Sequence, residues 1–216
     1  MNIVLLGSPG AGKGTQAELI ARCKGLAHIA TGDLFRTNVR EGTELGKVAQ
    51  RYMSRGELVP DEITIAMLVA RLAQPDTDAG VIIDGFPRNL VQARALDEAL
   101  HDGQQVDRVV LIEVSDDEAV ARLSDRWLCR DCGHITSLPP GVVPRPCEVC
   151  GGELYQRDDD KPEVVRSRLE TMKPPSDVLK YYADQGKLRR INGQQQLDDV
   201  TRDLLAALED GHGNRD

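Results

Sequence analysis

The chain has 216 residues, of which 40% are hydrophobic and 29% charged, with a formal net charge of −8. That is apolar material for one domain of ordinary size with a sizeable core, and it excludes a chain that stays disordered. The acidic balance argues against a general binder of nucleic acid or membrane surface, and no run of about eighteen apolar residues offers a membrane-spanning helix.

Residues 2–7 (NIVLLG) are a short apolar run ending in Gly, as a buried parallel strand does. With no basic segment ahead of it, the run reads as a first strand and not a signal peptide, so a cytoplasmic location is expected. Residues 13–24 follow with helical periodicity, which places Cys23 as a buried or half-buried thiol. LAHIA (26–30) reads as a second strand, and helical patterns cover 33–40, 44–54 and 61–73. Val59-Pro60 breaks that series, with Asp61 as a cap for the next helix. VIIDG (81–85) is a buried strand with Asp84 at its carboxyl end, and 89–103 is an amphipathic helix stopping at Gly103. VDRVVLIEV (106–114) is a long apolar strand, followed by a helix over 115–127 with an acidic first turn. Residues 128–156, rich in Pro, Gly and Cys, break the pattern. A helix then begins near Lys161 and is interrupted at Pro174-Pro175; 188–193 is a last strand, 196–210 a last helix, and 211–216 a frayed tail. The alternation predicts an α/β fold: a central parallel sheet flanked by helices, with one helical excursion at about 30–60 and one at the cysteines.

Gly7-Ser8-Pro9-Gly10-Ala11-Gly12-Lys13 matches GxxxxGK between that first strand and first helix, the context a phosphate-binding loop requires. Its glycines let backbone N–H groups face an anion, the helix dipole adds to them, and Lys13 reaches the outer phosphates. Gly14 stands where many nucleotide triphosphatases place a Ser or Thr on Mg²⁺, and Thr15 comes one later. Direct hydroxyl ligation is thus left open, with phosphates and waters as the alternative holders of the ion. Asp84, on the same sheet edge, suits the ion's water shell. Arg88 follows in a loop stiffened by Pro87. There are 20 Arg against 7 Lys, a ratio that suits forked phosphate binding and that codon bias explains equally well.

Cys129, Cys132, Cys147 and Cys150 form two Cys-x2-Cys pairs fourteen residues apart. In a reducing compartment this spacing points to metal before disulfide, and four thiolates fill a tetrahedral zinc site with no position left for water. The metal is therefore structural; soft ligands also admit iron or cobalt. His134 in place of Cys132, or free thiols without metal, are the other readings.

GSPGAGKGT, TGDLFR, DGFPRN, QRDDD and VVRSRLE, in this order and across essentially the whole chain, resemble the motifs of the adenylate kinase family. The resemblance implies a phosphate-loop kinase with a CORE (1–29, 60–126 and 158–216), a small helical nucleoside-monophosphate-binding domain (30–59) and a metal-stabilised lid (127–157). It implies the reaction ATP + AMP ⇌ 2 ADP with Mg²⁺, in a monomer. Matched by motif, Gly10, Ala11, Gly12, Lys13, Gly14 and Thr15 would cradle the ATP phosphates, with Arg122, Arg126, Ile135, Thr136 and Gln195 also on the ATP side. Thr31, Arg36, Glu57, Leu58, Val59, Gly85, Phe86, Pro87, Arg88 and Gln92 would bind AMP. Lys13, Asp84, Arg88, Arg126, Arg157 and Arg168 would serve catalysis, the last two also touching AMP. A kinase acting on UMP or CMP shares the loop and the arginines, but Thr31 and Gln92 favour adenine. The lid is expected to hinge near Arg126 and Arg157, held folded by its metal because some thirty residues poor in apolar side chains cannot hold themselves. A zinc-ribbon module for nucleic acid is disfavoured by the acidic charge and the 3% aromatic content, and a nucleotide-gated switch by the second anion site.

Overall fold

The computed structural model describes residues 1–100, 104–139 and 141–209. Five parallel strands, β1 (Asn2–Leu6), β2 (Ala27–Ala30), β3 (Val81–Asp84), β4 (Val106–Glu113) and β8 (Leu188–Asn192), form a sheet in the order β2-β3-β1-β4-β8. Val4 pairs with Ile83 on one side of β1 and with Val109 on the other. The inner strands β1 and β3 are apolar at all but one position each because both their faces are covered, whereas the edge strand β8 (LRRIN) carries polar residues. Ile3 and Leu5 point to one layer, where Ala17 and Ile20 of α1 (Lys13–Lys24) meet Leu204 and Leu208 of α9 (Leu197–Glu209). Val4 and Leu6 point to the other, where Leu96 of α5 (Leu90–Ala99) meets Leu68 of α4 (Asp61–Leu72) and Tyr182 of α8 (Ser176–Asp184). The strand order reverses at β1, and in such sheets the crevice at the carboxyl ends of the strands beside the reversal is the natural binding place.

Two excursions rise over that crevice. Between β2 and α4 run α2 (Thr31–Glu41) and α3 (Glu44–Met53), joined by a tight turn in which Thr43 caps α3 through the Gly46 N–H at 3.0 Å. The second excursion follows α6 (Asp116–Ser124), whose N-terminus Ser115 caps. It is a small antiparallel sheet, β6-β5-β7, made of β5 (Arg126–Cys129), β6 (Ile135–Ser137) and β7 (Leu154–Tyr155). α7 (Pro162–Thr171) then leads to α8, with Pro174-Pro175 between them as expected. No helix among the described residues is long and apolar enough to cross a membrane.

Four details depart from the sequence expectations. The helix expected to reach 127 ends at Ser124, because Arg126–Cys129 pairs with two strands from farther along the chain. Cys23 is exposed. It sits just past Gln16 at the margin of the stripe of Gln16, Ala17, Ile20 and Ala21 that α1 buries, about a quarter turn from the centre of that stripe. Asp61 does not cap α4; it is the first helical residue, and its carboxylate accepts from Asn89 and Gln92. α5 ends at Ala99, and the expected stop at Gly103 lies outside the described residues, as does the tail 211–216.

α2 and α3 cross so closely that a Cβ on Gly46 would run into the Asn38 carbonyl. Gly46→Ala should therefore push the two helices apart at a cost of about 1–3 kcal/mol. Hydrogen exchange should quicken over residues 31–53 and stay slow in β1, β3 and β4; unchanged exchange in the helical arm would contradict this packing.

Candidate active site

The loop between β1 and α1 makes the floor. Gly10 has φ +83, and a Cβ there would lie 2.6 Å from the Ala119 carbonyl, so the loop passes too close to α6 for any side chain. α1 has no side-chain cap and no acidic residue in its first turn. Its first N–H groups therefore lack intrahelical partners, and Gly12, Lys13, Gly14 and Thr15 line a cavity of about 560 Å³. Lys13 Nζ donates to the Ser8 carbonyl at 3.0 Å and lies 4.0 Å from Asp84 Oδ1. Burial pulls its pKa down from 10.5 to about 8, against the attraction of Asp84 and with the repulsion of Arg88, Arg168 and Arg126.

Arginines from four elements converge on the same space. Arg88 is pinned by carbonyls alone, Nε to Gly85 at 2.8 Å and Nη1 to Met172 at 2.7 Å. Burial, with a smaller push from Arg168, holds its pKa below the usual arginine value against the attraction of Asp84. Arg126, the first residue of β5, grips the fully buried Asp160 with both arms of its fork at 2.8 and 2.5 Å. Arg168 on α7 shares Asp160 at 2.9 Å and lies 3.2 Å from Asp159. Arg36 on α2 forks onto Asp33 at 3.0 and 2.6 Å, and Arg157 reaches the same carboxylate at 3.5 Å. Arg157 is held down to about 10 by burial, then by Arg36 and Arg126. Burial would raise the Asp159 pKa, but Arg168, Arg36 and Arg157 more than reverse it. Thus Lys13 and five arginines face Asp33, Asp84, Asp159 and Asp160, while Glu18 and Glu57, which also line the cavity, are each bound to an arginine outside it (Arg22 and Arg55), so a positive surplus is left inside an acidic protein. Nε of Arg157 and Arg168 is buried without a hydrogen-bond partner among the described residues. Arg122 lines the wall beside them, bound to Glu118 at 2.6 Å and to the Gly193 carbonyl at 2.9 Å.

The half of the cavity under α2 and α3 is milder. Thr31, Phe35, Met53, Glu57, Leu58, Val59, Gly85 and Gln92 line it. Gln92 is buried and bonded on both amide atoms, to the Arg88 N–H and to Asp61. Ile135 and Thr136 of β6 close the cavity from above. Ala11, Phe86, Pro87 and Gln195 do not line it. Ala11 and Phe86 are packed into the two layers of the core, Pro87 is buried, and Gln195 bonds Asn192 and Asp203 at the edge of α9. Asp33, Asp159 and Asp160 were not singled out in the sequence. They sat inside quoted motifs, yet acidic residues beside arginines are common on any surface.

The four cysteines of the second excursion come together with all sulfurs within 4.8 Å of one another. Cys129 and Cys150 are 3.4 Å apart, Cys132 and Cys147 3.7 Å. A zinc tetrahedron with sulfur bonds of about 2.3 Å has edges of about 3.8 Å, so the donor set fits such an ion. The Cys132 N–H pulls the Cys129 thiol to about 7. The Gly152 N–H pulls Cys150 the same way, but the crowding sulfurs of Cys132 and Cys129 push it up to about 12. His134 instead stands 3.2 Å from Glu148, across the two knuckles.

A family model described as adenylate kinase matches residues 5–187. Among curated relatives, a protein of Streptomyces coelicolor named adenylate kinase is 50% identical over 97% of this chain and 99% of its own length. Proteins of the same name from Dehalococcoides mccartyi and Listeria monocytogenes are each 48% identical over 97% and 96% of this chain, and 99% of their own.

A polyphosphate bound beside Lys13 favours its charged form, so the depressed pKa must rise on binding. Above pH 8, where the free side chain is losing its proton, binding should take up a proton, and affinity should fall by up to about tenfold per pH unit toward pH 10. Calorimetry of tripolyphosphate in buffers of different ionisation heat checks this. Lys13→Arg, charged throughout, should lack the uptake; equal uptake in both proteins would contradict the assignment.

Proposed function

The chain belongs to the adenylate kinase family, and we propose that its cavity sets ATP and AMP head to head between Lys13 and the arginines. The enzyme transfers the terminal phosphoryl group of ATP to AMP, reversibly, giving two ADP. The observation that carries the placement is the convergence of Lys13, Arg36, Arg88, Arg126, Arg157 and Arg168 on one cavity beside the uncapped turn of α1. UMP or CMP as the acceptor is not favoured, since the family model and the relatives are all of adenylate kinases.

An AMP phosphate oxygen attacks the γ-phosphorus while the bond to the β–γ bridging oxygen breaks, and the electron pair leaves with ADP. No proton need move, so no general base is assigned. The protein's part is position and charge. The α1 turn and Lys13 hold the ATP phosphates, Arg36 and Arg88 hold the AMP phosphate, and Arg126, Arg157 and Arg168 surround the group in flight. Their aspartates keep the guanidinium groups aimed, so little reorganisation is left for the reaction. Thr31, Glu57–Val59 and Gln92 receive the adenine and ribose of AMP; Arg122, Ile135 and Thr136 receive those of ATP. Mg²⁺, which such kinases use with ATP, supplies charge neutralisation on the outer phosphates. Asp84, 4.0 Å from Lys13 Nζ, and Thr15 are the side chains placed to hold its water shell.

In our reading residues 1–29, 60–126 and 158–216 are the CORE, 30–59 the monophosphate arm and 127–157 a lid stiffened by a structural Zn²⁺ on Cys129, Cys132, Cys147 and Cys150. Iron or cobalt would meet the same ligands. Reduced thiols of this kind suit a cytoplasmic protein, and family resemblance suits a monomer.

A coupled assay of ADP formation with ATP and each monophosphate should show AMP far ahead of UMP and CMP. Arg88→Ala should lower kcat by about 10²–10³, and near-normal turnover with AMP would remove Arg88 from its role. Metal chelation should make residues 126–155 protease-sensitive and lower the thermal midpoint while the parallel sheet stays folded. Unchanged melting and cleavage in verified metal-free protein would refute the structural metal.

A further inference from the structure

The direction in which the Gln92 amide faces is decided by two neighbours that have no alternative. The Arg88 backbone N–H can only donate, and it meets Gln92 Oε1 at 2.7 Å. The Asp61 carboxylate can only accept, and Gln92 Nε2 donates to its Oδ1 at 2.7 Å. Turning the amide over would set N–H against N–H on one side and oxygen against carboxylate on the other. In a residue only 1% exposed, that loses two part-buried hydrogen bonds together. Asp61 is itself held, because Asn89 Nδ2 donates to its two oxygens at 3.0 and 2.8 Å. The same Asn89 caps α5 by accepting the Gln92 N–H at 2.9 Å. Among the described residues each Gln92 amide atom has one partner, which leaves one bonding position on each, a donor beside an acceptor in fixed order, on the wall of the monophosphate half of the cavity.

We propose that Asp61 is a specificity-determining positioning residue: by fixing the order of donor and acceptor on Gln92, it makes the acceptor site read a base by polarity as well as by size. The inference rests on the reading of this half of the cavity as the AMP site, and it adds how the base is told apart. Adenine presents a ring nitrogen that accepts beside an amino group that donates, the complement of the pinned amide. Hypoxanthine and guanine present the reverse, a ring N–H beside a carbonyl, which only a turned amide matches; uracil's ring N–H lies between two carbonyls and offers either order, so size and not polarity must exclude it. Cytosine has adenine's order, so polarity does not exclude it and pocket size must.

Inosine monophosphate separates polarity from size, because it has the shape of AMP with the two groups reversed. With ATP as donor, kcat/KM for AMP should exceed that for inosine monophosphate by about two orders of magnitude in the unmodified protein. Asp61→Ala frees the amide and should shrink that ratio by about tenfold, through the acceptor's KM, with the KM for ATP within about twofold of its starting value. Asp61→Asn keeps one carbonyl oxygen for Gln92 and Asn89 and should restore the ratio to within about threefold. An Asp61→Ala protein that loses both acceptors in equal proportion shows a merely structural residue and overturns the proposal. So does an unmodified protein that takes AMP and inosine monophosphate alike, which needs no variant to fold. An unmodified protein that phosphorylates no monophosphate at all would instead overturn the reading of the site itself.

Discussion

The constraint on which the rest of the molecule depends is the repulsion among cations gathered into one cavity. Lys13 and five arginines share a space of about 560 Å³, partly out of water, where like charges oppose one another strongly. Lys13, Arg88 and Arg157 all have lowered pKa values, chiefly because they are buried and in smaller part because neighbouring arginines repel them. The fold tolerates this repulsion by interleaving Asp33, Asp84, Asp159 and Asp160, which offset part of the charge and leave a surplus. Phosphate chains relieve that surplus, so the same repulsion that works against the empty cavity favours its anionic ligands.

Holding that cluster dictates the architecture. The sheet contributes rigid ends: β1 delivers the phosphate loop, β3 delivers Asp84, and the loop after β3 delivers Arg88. These are fixed because the strands are buried on both faces. Arg36, Arg126 and Arg157 arrive instead on the two excursions or their roots, where little core is available. In one excursion two helices cross closely at Gly46, and in the other four cysteine sulfurs come within 4.8 Å of one another. Charge is thus presented partly from a stiff base and partly from the two smaller excursions that stand over it.

Much of this was legible in the sequence because it is local. The parallel strands announce themselves as apolar runs with a period of two on each face, the loop as glycines between a strand and a helix, and the metal ligands as two paired cysteines. What was not legible depends on partners far along the chain. Asp61 begins a helix, where any acidic residue serves, and only the approach of Asn89 and Gln92 reveals its bonds. Arg126–Cys129 continues a helical pattern and becomes a strand only because residues 135–137 and 154–155 pair with it. Cys23 was misplaced for a simpler reason: an apolar helix does not say which of its flanks meets the core. Gln195 stood near the right loop, but its amide is turned toward α9.

The carboxylate of Asp160 has a further consequence. It is wholly covered, and it ties Arg126, where the chain enters the cysteine-bearing sheet, to Arg168, beyond where the chain leaves it. Both ends of that sheet are therefore clasped at one point, like a gate hung from a single post. While the clasp holds, the entry and exit of the chain stay together, and neither attachment can lengthen at the other's expense. Ile135 and Thr136 of that sheet line the cavity, so the same point also fixes where they stand over it.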